Sequence, residues 1–297
     1  MTAEDFLMGL RLNALGIIGS VLVAATCAFL GVYVVLKRVV FVGVSLAQIS
    51  SAGIALAFLV GPWLASVAHR TIHGAPPFSA IGICFEWLAV RPVVVSLVVT
   101  FGAVLLFARP PTGRALPREA SIGIGYVLAS ALSLLFILKS AKGMEDVREL
   151  LDGSVVALGA ADLWALGAVF AAVAAVHALF YKQFLFVSFD AEMAASRGYA
   201  VARWEMLFFV TLGATIAVAI QKAGLLSVFA MMLLPAATGL VACRRMAGVF
   251  IVAVASAVVS AAVGFALALL WDLPVSPPTI GTSAALLAGA YLVRAGR

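Results

Sequence analysis

The chain has 297 residues, 65% of them hydrophobic and only 11% charged, with a mean hydropathy of +1.19 and a formal net charge of +6. No water-soluble surface can be built from the remainder, and the apolar excess is beyond what soluble cores of this length need, so the bilayer is the solvent. The basic balance does not point to nucleic acid, because the Lys and Arg residues lie in the breaks between apolar runs, where the positive bias of cytoplasmic loops accounts for them.

Continuous, non-alternating apolar runs of about twenty residues predict helices and exclude a closed barrel. The expected fold class is therefore all-α: one polytopic membrane domain over 1–297, with about nine transmembrane helices and eight as the alternative. Residues 1–13 carry Glu4, Asp5 and Arg11 and lack the basic start and cleavage site of a secretory signal, so the first span, 13–36, is expected to be retained. It ends at Lys37 and Arg38. The second span covers 39–67, with Gly61 and Pro62 marking its exit. Residues 69–91, which hold His69, His73, Pro76, Pro77 and Glu86, read as a loop with a short interfacial helix. The third span is 92–107, followed by a Pro-broken turn with Arg109, Arg114 and Arg118, and the fourth is 122–138. Residues 139–162 are too polar to span and read as a re-entrant or surface-lying piece. The fifth span, 163–180, leads into the long polar stretch 181–205. Spans at 206–220, 225–241, 249–270 and 280–293 complete the set, and the junction 221–224 also admits a broken helix with a re-entrant segment.

Alternate breaks place twelve of the nineteen Lys and Arg on the side of Lys37 and Arg38, whereas nine of the thirteen acids fall on the other. That asymmetry predicts an external amino terminus and a cytoplasmic carboxyl terminus. Cys27, Cys84 and Cys243 have no CxxC spacing and read as packing residues.

Ionisable groups inside the spans are nearly missing. His177, in the fifth span, reads as an interfacial histidine reaching the headgroups, with a role in a pathway as the alternative. The second span holds Ser45, Gln48, Ser50 and Ser51 between Gly43 and Gly53, and spacing of three or four puts Ser45, Gln48 and Ser51 or Ala52 along one face. Such a cluster serves either close helix packing or the lining of a pathway. Pro235, followed by Ala236, Ala237 and Thr238, removes a backbone donor and predicts a kink; Met231 and Met232 before it read as packing or lipid-facing residues. His69 and His73 share i, i+4 spacing, which suits metal ligands or, more simply, a solvated loop. From Phe189 to Gly198 the chain reads as a short helix started by Asp190 and closed by Gly198, a surface on which a partner can push. There is no G-x-x-x-x-G-K-[ST], hence no phosphate-cradling loop.

Glu192, Ala194 and Gly198 match the Glu-Ala-Ala-x-x-x-Gly coupling loop of binding-protein-dependent ABC permeases, with Met193 replacing the first alanine. Val35 to Arg38 with Gly43 and 47–53, Arg118 to Ile124, Leu151 to Gly153 with Asp162 and Leu163, and Gly224 to Leu226 through Leu234 to Thr238 resemble segments of one branch, the ABC-3 family of zinc, manganese and iron permeases. The resemblance covers about residues 13–294. It implies two permeases side by side, identical or paired with a sister chain, with the ion path at their interface. A cytoplasmic ATPase would sit beneath each and supply the ATP site, a solute-binding protein would dock outside, and the location would be the bacterial inner membrane. The chain itself would bind no cofactor; its cargo would be a divalent transition metal. By the same resemblance, Asp190, Glu192, Ala194, Ala195 and Gly198 in 181–205 would form the ATPase-coupling loop, and Ser45, Gln48, Ser51, Pro235 and Thr238 are the candidates for the pathway. The family's Gly-Asp-x-Leu-x-His pattern is not kept: from Gly43, the Asp and His positions are Val44 and Gln48, which leaves the metal ligands open. A chelated metal, another solute, or a secondary ion-coupled carrier are the alternatives. A membrane-embedded enzyme would need a His, Asp or Glu cluster at one depth, which the spans lack.

Overall fold

The computed structural model describes residue 9 and residues 11–72, 92–108, 118–139 and 159–296. Every regular element among the described residues is an α-helix: α1 (Ala14–Leu36), α2 (Val40–Ile72), α3 (Pro92–Phe107), α4 (Arg118–Lys139), α5 (Ala160–Leu179), α6 (Tyr181–Phe189), α7 (Ala191–Ser196), α8 (Val201–Ala223), α9 (Leu225–Ala242), α10 (Met246–Trp271) and α11 (Ser276–Ala295). Seven of them, α1, α2, α4, α5, α8, α9 and α10, are long and apolar enough to cross a membrane, and α3 carries a shorter apolar run, Val94–Phe107. Each apolar stretch of the sequence coincides with a helix, as the need to satisfy backbone groups within one segment requires.

The helices form two packed groups. In one, α2 lies against α3 and α4; in the other, α1 lies against α9 and α10, which α11 covers. Between them runs α8, touching α3 and α2 on one side and α1, α5 and α9 on the other. Its buried residues include Phe208, Leu212, Ile216 and Ile220 at four-residue spacing and also Phe209, Gly213 and Ala217, so more than one face makes these contacts. Helices α1 and α9 approach closely: a Cβ at Gly31 would collide with the main-chain carbonyl of Met232. Without water to drive helices together, such small-residue contacts supply the packing. Cys27 is buried in this same core, and Met231 and Met232 are packing residues buried there too.

Three boundaries differ from the sequence reading. The helix α2 continues through Gly61 and Pro62 to Ile72, whereas its apolar portion stops at Val60. The pair thus marks the end of the apolar run; proline removes only one backbone donor, and the hydrogen bonds on either side of it carry the helix on. Most of 181–205 is not a loop, because Phe184, Val187 and Ser188 bury one face of α6 and α8 already begins at Val201. The α8–α9 junction is the single residue Gly224 with φ +78°, joining helices of 23 and 18 residues in place of a re-entrant segment. Of the loop expected at 69–91, residues 69–72 with His69 belong instead to α2, and the remainder with His73 and Cys84, the Arg109 and Arg114 turn, and most of the 139–162 piece lie outside the described residues.

Gly31→Val should therefore lower stability by about 1–3 kcal/mol through overpacking, measured as earlier thermal unfolding in detergent. Gly102→Ala, where an added Cβ meets open space, should leave the transition where it is.

Candidate functional site

The segment from Asp190 to Tyr199 is a short capped helix held on the surface. Asp190 adopts an extended conformation, φ −150° and ψ 92°, and its Oδ1 accepts a hydrogen bond from the Met193 N–H at 2.9 Å. At the other end the Gly198 N–H donates to Ala195 O and the Tyr199 N–H to Ala194 O, both at 3.0 Å, with Gly198 at φ +83°. This paired closure needs a left-handed residue, and glycine supplies it without Cβ strain. Ala194 is fully buried and anchors the helix inward, whereas Asp190, Glu192, Ala195 and Gly198 are exposed. The cap, the small inward residue and the outward acid thus present one rigid face.

A cavity of about 640 Å³ opens beside this helix, lined among others by Lys37, Arg38, Ser188, Phe189, Ala191 and Glu205. Lys37 Nζ lies 3.9 Å from Glu205 Oε1 and 5.4 Å from the centre of the Phe208 ring. The α1–α2 turn, the α6–α7 junction and the start of α8 therefore share one end of the molecule. At the opposite end of α8, Lys222 Nζ pairs with Asp162 Oδ1 at 3.0 Å. The two ion pairs thus sit at opposite ends of α8.

The hydroxyls of α2 are largely committed to neighbouring helices. Ser45 Oγ donates to Ile122 O of α4 at 3.1 Å, and the Ser50 and Ser96 hydroxyls lie 2.6 Å apart, with Ser96 also donating to Ser50 O at 3.0 Å. Ser51 is buried. Gln48 differs, since it is only half-buried and shares with Val44, one turn earlier, a stripe left partly open. In α9, Pro235 is buried and Thr238 Oγ1 donates to Leu234 O of its own helix at 2.9 Å. The candidate residues are thus not one cluster: Ser45 belongs to the α2–α4 contact, Pro235 and Thr238 to α9, and Gln48 to the open stripe. Among the described residues no three His, Cys, Asp or Glu side chains gather in a way that would hold a metal ion.

The profile of the ABC 3 transport family matches residues 11–294. The chain belongs to that family. It is 23% identical over 272 residues to the manganese transport system membrane protein MntC of Halalkalibacterium halodurans, covering 92% of this chain and 84% of that one. It is 25% identical over 245 residues to the chelated iron transport system membrane protein YfeC of Yersinia pestis, covering 82% and 74%. A solved chain of PsaBC from Streptococcus pneumoniae in complex with Fab shares the fold, with a TM-score of 0.79 over 98% of this chain and 95% of that one at 19% identity. As an ABC-3 family member with helices of spanning length, the chain is a multi-pass membrane protein of a transport system, in bacteria of the inner membrane.

One residue of this ABC-3 chain sits elsewhere than its sequence context suggests. His177 does not reach outward from the protein but is fully buried, with its ring stacked on Phe184 at 4.3 Å and 11°. Phe29, Tyr33 and Phe208 surround it, and its Nδ1–H donates to Val173 O at 3.0 Å. The helix α6 folds back beside α5 and covers the ring, a tertiary contact that no local pattern announces.

Asp190→Ala should cost about 1 kcal/mol at the cap, and Gly198→Ala about 1–2 kcal/mol from backbone strain alone, because no atom stands near an added Cβ. Both should speed amide hydrogen exchange within α7 several-fold while leaving global unfolding in place; Gly198→Asn should be milder than Gly198→Ala.

Proposed function

We propose that the chain is the membrane subunit of a binding-protein-dependent importer of a divalent transition metal, driven by a separate ATPase that pushes on α7. The observation that carries this reading is the capped, exposed helix from Asp190 to Gly198, at the same end as Lys37 and Arg38. That end then faces the cytoplasm, with the amino terminus outside and the carboxyl terminus inside. Two permeases pair across the membrane, an external binding protein delivers cargo, and rigid-body rocking of the two helix groups about α8 alternates access. Glu192 and Ala195 meet the ATPase, Ala194 anchors the helix, and Asp190 and Gly198 hold its shape. Gln48, half-buried on the stripe it shares with Val44 and with no side-chain hydrogen bond among the described residues, is the leading pathway residue, while Ser45 and Ser51 contribute through packing and Pro235 with Thr238 shapes α9.

The cargo is the finer part of the reading. A valine is no metal ligand and an amide oxygen is a weak, hard one, so Val44 and Gln48 suit passage without tight coordination in the membrane. Metal choice then rests on the external binding protein. The same pair favours a second reading, a chelated metal whose ligands travel with it.

Cells lacking the chain should lose manganese, zinc or iron on element-by-element measurement, and unchanged content of all three would remove the metal. In vesicles holding permease, ATPase and binding protein, Glu192→Lys should abolish ATP-driven uptake with the protein still inserted; normal uptake would defeat the assignment of α7. Gln48→Ala should alter the uptake rate, and a rate equal to wild type would return the stripe to packing. Uptake by the permease alone would point to a secondary carrier.

A further inference from the structure

Displacing α7 accomplishes nothing unless the movement reaches the spans, and the two ends of α7 are attached differently. On the carboxyl side four residues, Arg197 to Ala200, separate α7 from α8, and all four are exposed. On the amino side a single residue, Asp190, joins α7 to α6, and the Asp190 N–H donates back to Phe186 O at 3.1 Å. The stiffer route therefore runs into α6.

The buried side of α6 makes several aromatic contacts. Phe184, 1% exposed, is stacked on His177 of α5 and meets the edges of Tyr33 of α1 at 6.2 Å and Trp204 of α8 at 5.7 Å. Tyr181 meets Phe250 of α10 at 5.9 Å, and Phe250 in turn lies 5.0 Å from Tyr33. Rings packed at native density do not deform gradually; they move as a block or change partners. Within this block the imidazole is the ring whose plane is fixed by a hydrogen bond, from Nδ1–H to Val173 O, and its Nε2 has no partner among the described residues. Burying an unpaired ring nitrogen costs stability that a phenylalanine would not incur. What the histidine adds is a held orientation against Phe184.

We propose that the His177–Phe184 stack is the positioning element that passes displacement of α7 to α1, α5, α8 and α10, with His177 acting as a positioning residue for transport. The inference rests on the importer reading above. It ties the ATPase contact to helices of both groups, since α8 touches each of them.

The test uses the complete transporter in vesicles, with manganese(II) as the cargo probe, and reads ATP hydrolysed per ion taken up beside thermal stability. His177→Leu removes the ring and should raise that ratio about fivefold or more, the lower end of typical coupling effects. His177→Phe keeps a ring but loses its hold on the Val173 carbonyl, so it should recover only part of the coupling and fall between His177→Leu and wild type. Phe184→Leu removes the other half of the stack and should match His177→Leu; it also serves if His177→Leu fails to accumulate. A merely structural role would lower hydrolysis and uptake in proportion and leave the ratio unchanged, which overturns the proposal. If wild-type vesicles show no ATP-driven manganese uptake while another cargo is driven, the ratio is read with that cargo. No ATP-driven uptake of any cargo would sink the importer reading itself.

Discussion

A peptide group in hydrocarbon finds no water, so each N–H and C=O must be satisfied by the chain itself, and this requirement organises the whole molecule. It explains the helices, and it also explains what the hydroxyls do. Ser20, Thr26, Thr211, Thr215, Thr238, Ser256 and Ser260 all donate to carbonyls three or four residues earlier in their own helices. A serine or threonine within a span is thereby made tolerable to lipid or core without serving any pathway. Ser45, Ser50 and Ser96 depart from this habit by bonding between helices, in a group where α2 has most of its surface covered. Such interhelical bonds contribute on average only about 0.6 kcal/mol in membranes. Close contact at Gly31 and Met232 matters at least as much for how α1 and α9 sit.

Once backbone demands are met within helices, shape resides in how the helices pair, and α8 is the element that both groups share. The aromatic block surrounds its first turns through Trp204 and Phe208. In the proposed importer the part that receives force and the part that divides the two groups are therefore in direct contact, with no long relay between them.

Much of this was legible in the sequence, because a span of about twenty apolar residues is a strong local signal. The cap and closure of α7 were legible for the same kind of reason: Asp190 and Gly198 act on residues no more than four positions away. What failed to show was non-local. His177 lies a few residues from a polar stretch and looks interfacial until α6 folds over it. Phe184 hides among Tyr181, Lys182 and Gln183, which make its surroundings look like a loop. Gly61 and Pro62 look like a stop, since the sequence reports where apolarity ends and not where hydrogen bonding does. The division of labour between Ser45 and Gln48 depends on which neighbour faces each of them, and spacing along one helix cannot tell.

The charged contacts at the two ends of α8 carry a mechanical consequence. Glu205 meets Lys37 at one end and Lys222 meets Asp162 at the other, about 26 Å apart along the axis at 1.5 Å per residue. A rod tethered at both tips can tilt or roll, but sliding lengthwise would stretch both tethers at once. The tethers are also unequally sheltered: the side chains of Lys37 and Glu205 are 7% and 17% exposed, those of Lys222 and Asp162 26% and 41%. Dissolved electrolyte reaches the second pair more readily and weakens it first. Of the two tethers, the one at the Lys222 tip is therefore the one that rising salt loosens first.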